Sequence, residues 1–309
     1  MSDTLPVSVV IAGYEQPVML ARALRSVHAQ RPRRPTEVIV VDDGSRDSTA
    51  QVAAAHGATV IRHARNRGST AARNTGIAAA AQPWMALLDQ DDQWLPHHLA
   101  HLWALRAGHV LVAASALRRR EDGGRALLHG PLTSEPLVLR SPRRLVYPGN
   151  CIPLSATLLR TDAVREVGAF VPEHGVADLD LWIRLLERGT AAVSPEVTVL
   201  YSVHAEQVSQ DHRMMQAAHI AVSESYEGRP WWSADLVERW RATVAWNSVR
   251  GALRRRRVGE AAGHAATLLE HPQRVRGVIE MWIDRARLRR RSARFVRDAG
   301  AELIGGPQW

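Results

Sequence analysis

No lysine occurs anywhere in these 309 residues: all forty basic side chains are arginine. That excludes chemistry built on a lysine Schiff base or a P-loop lysine. A single cysteine, Cys151, rules out an internal disulfide, so a reducing cytoplasm is the expected compartment. No apolar run approaches the ~20 residues that cross a bilayer, and the start of the chain shows neither the basic stretch nor the apolar core of a signal peptide. Internal repeats and low-complexity tracts are absent as well. The apolar share, 46%, is that of a globular protein, and the length suits one large domain with an appendage, or two domains.

The net charge of +9 is unevenly placed. Residues 251–309 hold thirteen arginines against six acids, so the first 250 residues are nearly neutral. Such asymmetry predicts an appended module with a partner of its own.

Strand and helix signals alternate from the start. Val7 to Ile11 is a β-branched buried strand, and Pro17 opens a helix to about Gln30 with Leu20, Leu24 and Val27 on one face. Glu37 to Val41 is a second strand, followed by an alanine-rich helix that stops at Gly57. Ala58 to His63 is a third strand, and a helix over Ala71–Ala81 leads to a fourth, Trp84 to Leu88. This alternation predicts βαβ units and a mostly parallel sheet flanked by helices. From Arg118 to Pro153 the pattern breaks into loops, and beyond about Gln210 only helical periodicity remains.

The most informative stretch is Leu88-Asp-Gln-Asp-Asp-Gln-Trp-Leu-Pro96. A buried strand there ends in three carboxylates, Asp89, Asp91 and Asp92. Like charges that close repel, and a shared cation relieves them; Mg²⁺ typically combines one or two carboxylates with substrate phosphates. The carboxyl end of a strand is also where open α/β sheets bind ligands. The ordinary alternative is that Asp91 or Asp92 caps a helix starting near Pro96, which accounts for one acid and not three. Asp42-Asp43 at the end of the second strand reads as an Asx turn when taken alone, but it faces the same crevice.

Four motifs in order carry a resemblance: the Val7–Ile11 strand, Glu37-Val-Ile-Val-Val-Asp-Asp-Gly-Ser45 with Asp47-Ser-Thr49, Asn66-Arg-Gly-Ser-Thr-Ala-Ala-Arg-Asn-Thr-Gly-Ile77, and the acidic stretch above. Together they resemble the inverting family-two glycosyltransferases of GT-A fold. Weaker similarity continues through Val167-Gly-Ala-Phe170, Asp178-Leu-Asp-Leu-Trp-Ile-Arg184 and Tyr201-Ser-Val-His204. The resemblance implies a catalytic domain over residues 1–205, with a nucleotide-binding half to 115 and an acceptor-binding half from 116, ahead of a basic Trp/Arg-rich helical region, 206–309. It implies a metal-dependent transfer of a sugar, with inversion, from a nucleotide diphosphate sugar, UDP-linked by expectation. Tyr14 and Asp43 would meet the base, Arg73 the diphosphate, and Asp89 the ribose or sugar. Asp91, Asp92 and His204 would serve Mn²⁺ or Mg²⁺, and Asp178 would be the general base. For Asp178 the ordinary alternative is an N-cap pair with Asp180, and for His204 a surface residue.

Three positions depart from the family. Ala12-Gly13 stands where Pro-Thr is usual, Ala177 where many members carry Glu beside the base, and Gly168-Ala169-Phe170 replaces a double glycine. Two other functional classes remain: a nucleotidyltransferase, which needs a basic glycine-rich loop where this chain has Gly13 alone, and a non-catalytic nucleotide-sugar binder. The C-terminal arginines show no RNP, zinc-finger or helix-turn-helix pattern, so no nucleic-acid partner is expected. Trp231, Trp232 and Trp240, then Arg254 to Arg257, then Trp282 and Leu288 among Arg285, Arg287 and Arg289–Arg291, predict helices lying on the anionic inner face of the cell membrane. The competing expectation is a stripe packed on the catalytic domain or in a homodimer.

Overall fold

The runs of valine and isoleucine near the start become central strands because both of their faces are covered. In this computed structural model, which describes residues 4–120, 125–129, 134–147, 149–171, 176–203, 212–254, 256–270 and 272–298, four parallel strands lie in the order β3 (Thr59–Arg62), β2 (Arg34–Asp42), β1 (Thr4–Gly13), β4 (Trp84–Asp89). Successive side chains of β1 serve opposite cores, as the two-residue period of a strand requires. Val7, Val9 and Ile11 pack with Leu20, Leu24 and Val27 of α1 (Pro17–His28), Ala53 of α2 (Thr49–Ala55), and Leu99 and Leu102 of α4 (His98–Leu105). Val10 packs on the other side with Ala72 and Ile77 of α3 (Ser69–Ala79). Each such side chain contributes roughly 1.5–3 kcal/mol by leaving water. At Gly76 of α3 an added Cβ would lie 2.4 Å from Val10 Cγ1, so only glycine lets this helix sit so close to the sheet.

The sheet continues past β4 with β9 (Thr157–Arg160), β6 (Leu111–Arg120), β10 (Ala191–Val203) and β5 (Gln93–Trp94). β9 runs antiparallel to both β4 and β6, and β6 and β10 are parallel. The region expected to be loops, from Arg118 to Pro153, also holds β7 (Arg125–His129) against β6, β8 (Leu137–Leu139) against β10, and the single turn of α5 (Arg143–Val146). These pieces are too short for any periodicity to show. α6 (Thr161–Glu166) and α7 (Ala177–Leu186) cover the α3 side, where Trp182 is fully buried.

From His212 the described chain is helical: α8 (His212–Ser225), α9 (Ala234–Arg254), α10 (Val258–Leu269) and α11 (Pro272–Asp298). Tyr226, Trp231, Trp232 and Trp240 form a chain of ring contacts at 5.5–5.9 Å between centroids. Trp232 and Trp240 are buried in the same core as Trp182. Trp232 and Trp240 are therefore packed inside the protein, while Trp231 is only partly buried and donates its Nε1 hydrogen to Glu187 Oε1 at 2.8 Å. Among the described residues, no helix is long and apolar enough to cross a membrane.

Candidate functional site

Register brings the strand ends together. Gly13 of β1 pairs with Asp42 of β2, and Ala12 with Asp89 of β4, so the three strands reach the same edge at one level. Beyond that edge Asp89, Asp91 and Asp92 each offer a carboxylate oxygen, all within 4.8 Å of one another. An all-oxygen, anionic donor set of this spacing suits a hard divalent cation. The three acids are not equivalent. Asp92 is fully buried; its Oδ2 accepts from Ser155 Oγ at 2.6 Å and its Oδ1 from the Ser202 amide at 3.0 Å. Burial, with repulsion from Asp91 and Asp89, pushes its carboxyl well above the ordinary carboxylate range. The capping role weighed for Asp91 and Asp92 does not occur: β5 intervenes, and His97 stands at the N-cap of α4.

Arg73, on α3, donates to Asp89 Oδ1 at 2.6 Å and lies over the Phe170 ring. Burial works against its charge, but Asp89, Asp178 and Asp91 outweigh that and keep the guanidinium protonated. Those four groups thus share one electrostatic neighbourhood. Asp178 sits in the first turn of α7, whose N-cap is Val176, so Asp178 and Asp180 are not a capping pair. Asn150 Nδ2 donates to Asp178 Oδ2 at 3.4 Å. Asp180 points inward instead, to Arg184 at 2.6 Å and the Tyr226 hydroxyl at 2.6 Å.

Asp43, expected to accept from a base, is buried and fully engaged by the chain itself. Its oxygens accept from the Arg67 amide at 3.0 and 3.1 Å, the Gly68 amide at 2.8 Å and His63 Nδ1 at 2.7 Å. A ring nitrogen facing a carboxylate carries its proton, so His63 donates there, while its Nε2 lies 2.9 Å from Thr75 Oγ1. What Asp43 visibly does is hold the loop before α3. Gly44 (φ +79°) makes that approach possible, since a Cβ there would come within 2.5 Å of the Arg65 backbone.

Tyr14, 38% exposed, follows β1. Its backbone is clamped by Gln90: the Tyr14 amide donates to Gln90 Oε1 at 2.8 Å, and Gln90 Nε2 donates to Tyr14 O at 3.1 Å. An added Cβ at Gly13 would lie 3.6 Å from Gln90 Oε1, so the space left by the missing threonine borders this amide.

Sequence reasoning missed Gln90, His63, Ser155 and Asn150. Gln90 stood inside the acidic motif and His63 at a strand end, which are usable signals; Ser155 lies in a three-residue 3₁₀ turn, Leu154–Ala156, and Asn150 in irregular chain, and neither carries one. Asn74, inside the third motif, clamps Phe170 through Nδ2 to its carbonyl at 2.8 Å and Oδ1 from its amide at 3.0 Å, which joins two motifs 96 residues apart in sequence. His204 lies outside the described residues. Burial pushes the Cys151 thiol up to about 11, so it is no nucleophile at neutral pH.

Comparison with known proteins fits this geometry. Pre-mycofactocin glycosyltransferase of Mycobacterium tuberculosis is 31% identical over 232 residues, covering 69% of this chain and 47% of that protein. The chain thus spans about half the length of the curated relatives it matches. Two solved structures share the fold. Mannosyltransferase PcManGT of Pyrobaculum calidifontis, in complex with GDP-Man and Mn²⁺, superposes with a TM-score of 0.59 at 17% identity, over 92% of this chain and 84% of its own. S. aureus TarS 1-349 with UDP-GlcNAc gives 0.59 at 14% identity, over 85% and 91%. Both carry the GT-A arrangement that the first strands resemble. The model of glycosyl transferase family 2 matches residues 8–167, which include the acidic cluster, Arg73 and Asn74, and the chain belongs to that family.

Proposed function

We propose that this protein moves a sugar from a nucleotide diphosphate sugar, UDP-linked, to an acceptor hydroxyl with inversion at the anomeric carbon. The observation that carries the reading is the cluster Asp89, Asp91 and Asp92 at the end of β4, with Arg73 and Asp178 beside it. GDP-Man with Mn²⁺ in one structural neighbour and UDP-GlcNAc in another support a nucleotide-sugar donor.

Asp91, with Asp89 and the buried Asp92 beside it, would hold Mn²⁺ or Mg²⁺, which as a Lewis acid offsets charge developing on a leaving diphosphate. Arg73 supplies a fixed positive charge at the same edge. Tyr14, held by Gln90, lies against the base, and Asp43 acts through the loop it fixes. Asp178 takes the proton from the acceptor hydroxyl as the oxygen attacks from the face opposite the diphosphate. Donor hydrolysis or transfer is expected to vanish with EDTA and return with Mn²⁺, and Asp91→Ala to be inactive in both conditions. Full turnover in chelator, with Asp91→Ala unaffected, overturns the mechanism. A nucleotide-sugar panel read by thermal shift with and without Mn²⁺ identifies the donor, because a ligand stabilises as RT ln(1 + [L]/Kd).

A further inference from the structure

One face of α11 is largely open to solvent, with Trp282 resting edge-on against Trp246 of α9 at 5.7 Å between ring centroids. Val275, Ile279, Trp282 and Ile283 are 38, 55, 56 and 45% exposed, at the i, i+4, i+7, i+8 spacing of a single helical stripe. Ala286, Arg287 and Arg290 continue it, exposed, toward the C-terminal end. The opposite face holds the helix in place. Gly277 backs onto Ala242 of α9, and buried Arg274 donates to Glu238 and Glu270, each at 2.6 Å. The stripe is therefore presented by an anchored helix. A helix fraying from the body would not hold Arg274 in that way.

We infer that this face docks on an anionic membrane surface and thereby turns the acceptor side of the site toward lipid. Two observations select that occupant. The stripe lies in the part of the chain with thirteen arginines and six acids, the composition that anionic headgroups attract. A second copy would bring the same arginines against themselves, and four half-exposed side chains fall well short of the about 800 Å² per partner of a stable dimer. The orientation follows from a third observation. Tyr147 Oη donates to the Gly277 carbonyl of α11 at 2.7 Å, with the Arg239 guanidinium over its ring, and three residues on Asn150 donates to Asp178. α11 is thus tied to the side of the proposed base. The acceptor class that follows, a hydroxyl-bearing molecule carried on a membrane lipid, rests on the function proposed above; the docking itself does not.

Flotation with phosphatidylglycerol-containing vesicles tests it, against pure phosphatidylcholine and at low and high salt. The protein is expected to float with the anionic vesicles at low salt and to be released by high salt. Arg287→Gln with Arg290→Gln should weaken partitioning about fivefold per arginine. Ile279→Gln with Ile283→Gln, which preserves helix propensity, should abolish flotation while leaving the melting temperature and the donor-induced thermal shift unchanged. A wild-type protein that stays in the soluble fraction with anionic vesicles at low salt overturns the inference. So does a dimer in light scattering that the Ile279/Ile283 variant converts to monomer. Flotation that persists in a protein binding no nucleotide sugar upholds the surface and overturns the proposed reaction, so the two failures are distinct.

Discussion

Two places in this molecule bury carboxylates, and they do so in opposite ways. At α7 the buried Asp180 has a full set of partners: two Arg184 nitrogens and the Tyr226 hydroxyl reach it. At the end of β4 three carboxylates crowd within 4.8 Å around the ion pair of Arg73 and Asp89. The first arrangement is balanced and needs nothing from outside. The second is short of positive charge, and a shortfall held in place by strand register is what a cation and a diphosphate would fill. Asp178 and Asp180, two residues apart on one helix, belong to different arrangements: one lies in the electrostatic reach of Arg73, the other is locked in the core.

That contrast yields the largest expected effect. Asp178→Asn keeps size and hydrogen bonding but accepts no proton, so kcat should fall by ~10²–10⁴ while donor affinity stays within a few fold. Retained turnover would move the base elsewhere and return Asp178 to a structural role. Arg184→Ala attacks the balanced site instead. It strands Asp180 and also removes the donors to the Val167 carbonyl and, at 2.6 Å, the Ala169 carbonyl. Breaking a buried pair from one side costs about 3–5 kcal/mol, read as the midpoint of urea unfolding. A loss below about 1 kcal/mol would mean that water reaches Asp180 and that the two sites differ less than their geometry implies.

A smaller effect separates the sites by pH. Asp92 holds its proton above the ordinary carboxylate range through burial and the repulsion of Asp91 and Asp89. The folded state therefore binds more protons than the unfolded one, and stability without metal falls as pH rises from that range toward the Asp92 pKa. A cation on the cluster competes with the proton. The Mn²⁺-induced rise in melting temperature should accordingly grow from acid toward neutral pH, and grow less in Asp92→Asn. A metal shift equal at every pH would place Asp92 outside the coupled cluster.

The same contrast explains what was legible in the sequence. Strands buried on both faces write themselves as valine and isoleucine runs, and their ends as acids and glycines, so the parallel half and the acidic cluster were readable from Val7 to Asp92. The partners of those acids were not, because Ser155 comes from a three-residue 3₁₀ turn, Asn150 from irregular chain and Ser202 from a distant strand, and none of them falls in a periodic pattern. The C-terminal tryptophans were ambiguous for a related reason. Trp232, buried against the α7 side, and Trp282, 56% exposed on α11, sit in similar arginine-rich surroundings, and only packing tells them apart. The 118–153 region misled because its strands are short and divided by Gly, Pro and Arg.

The smallest prediction concerns the turn that Arg184 braces. Gly168 and Ala169 both adopt left-handed backbone, with φ of 84° and 56°. Glycine does so freely, whereas the Cβ of alanine crowds the following carbonyl at about 1–2 kcal/mol. The strain is held by several bonds: Ala169 N donates to the Val164 carbonyl at 2.9 Å, Arg184 grips the carbonyls on either side of Gly168, and Asn74 clamps Phe170. A second glycine, as the family has there, would relieve it. Ala169→Gly is therefore expected to stabilise, by about 0.5–1 kcal/mol once the greater freedom of glycine in the unfolded chain is subtracted. The sign matters more than the size, since glycine for alanine almost everywhere else in a fold destabilises. A lower urea midpoint for Ala169→Gly would show that the turn does not hold Ala169 in the left-handed region, and that Arg184 braces a relaxed loop.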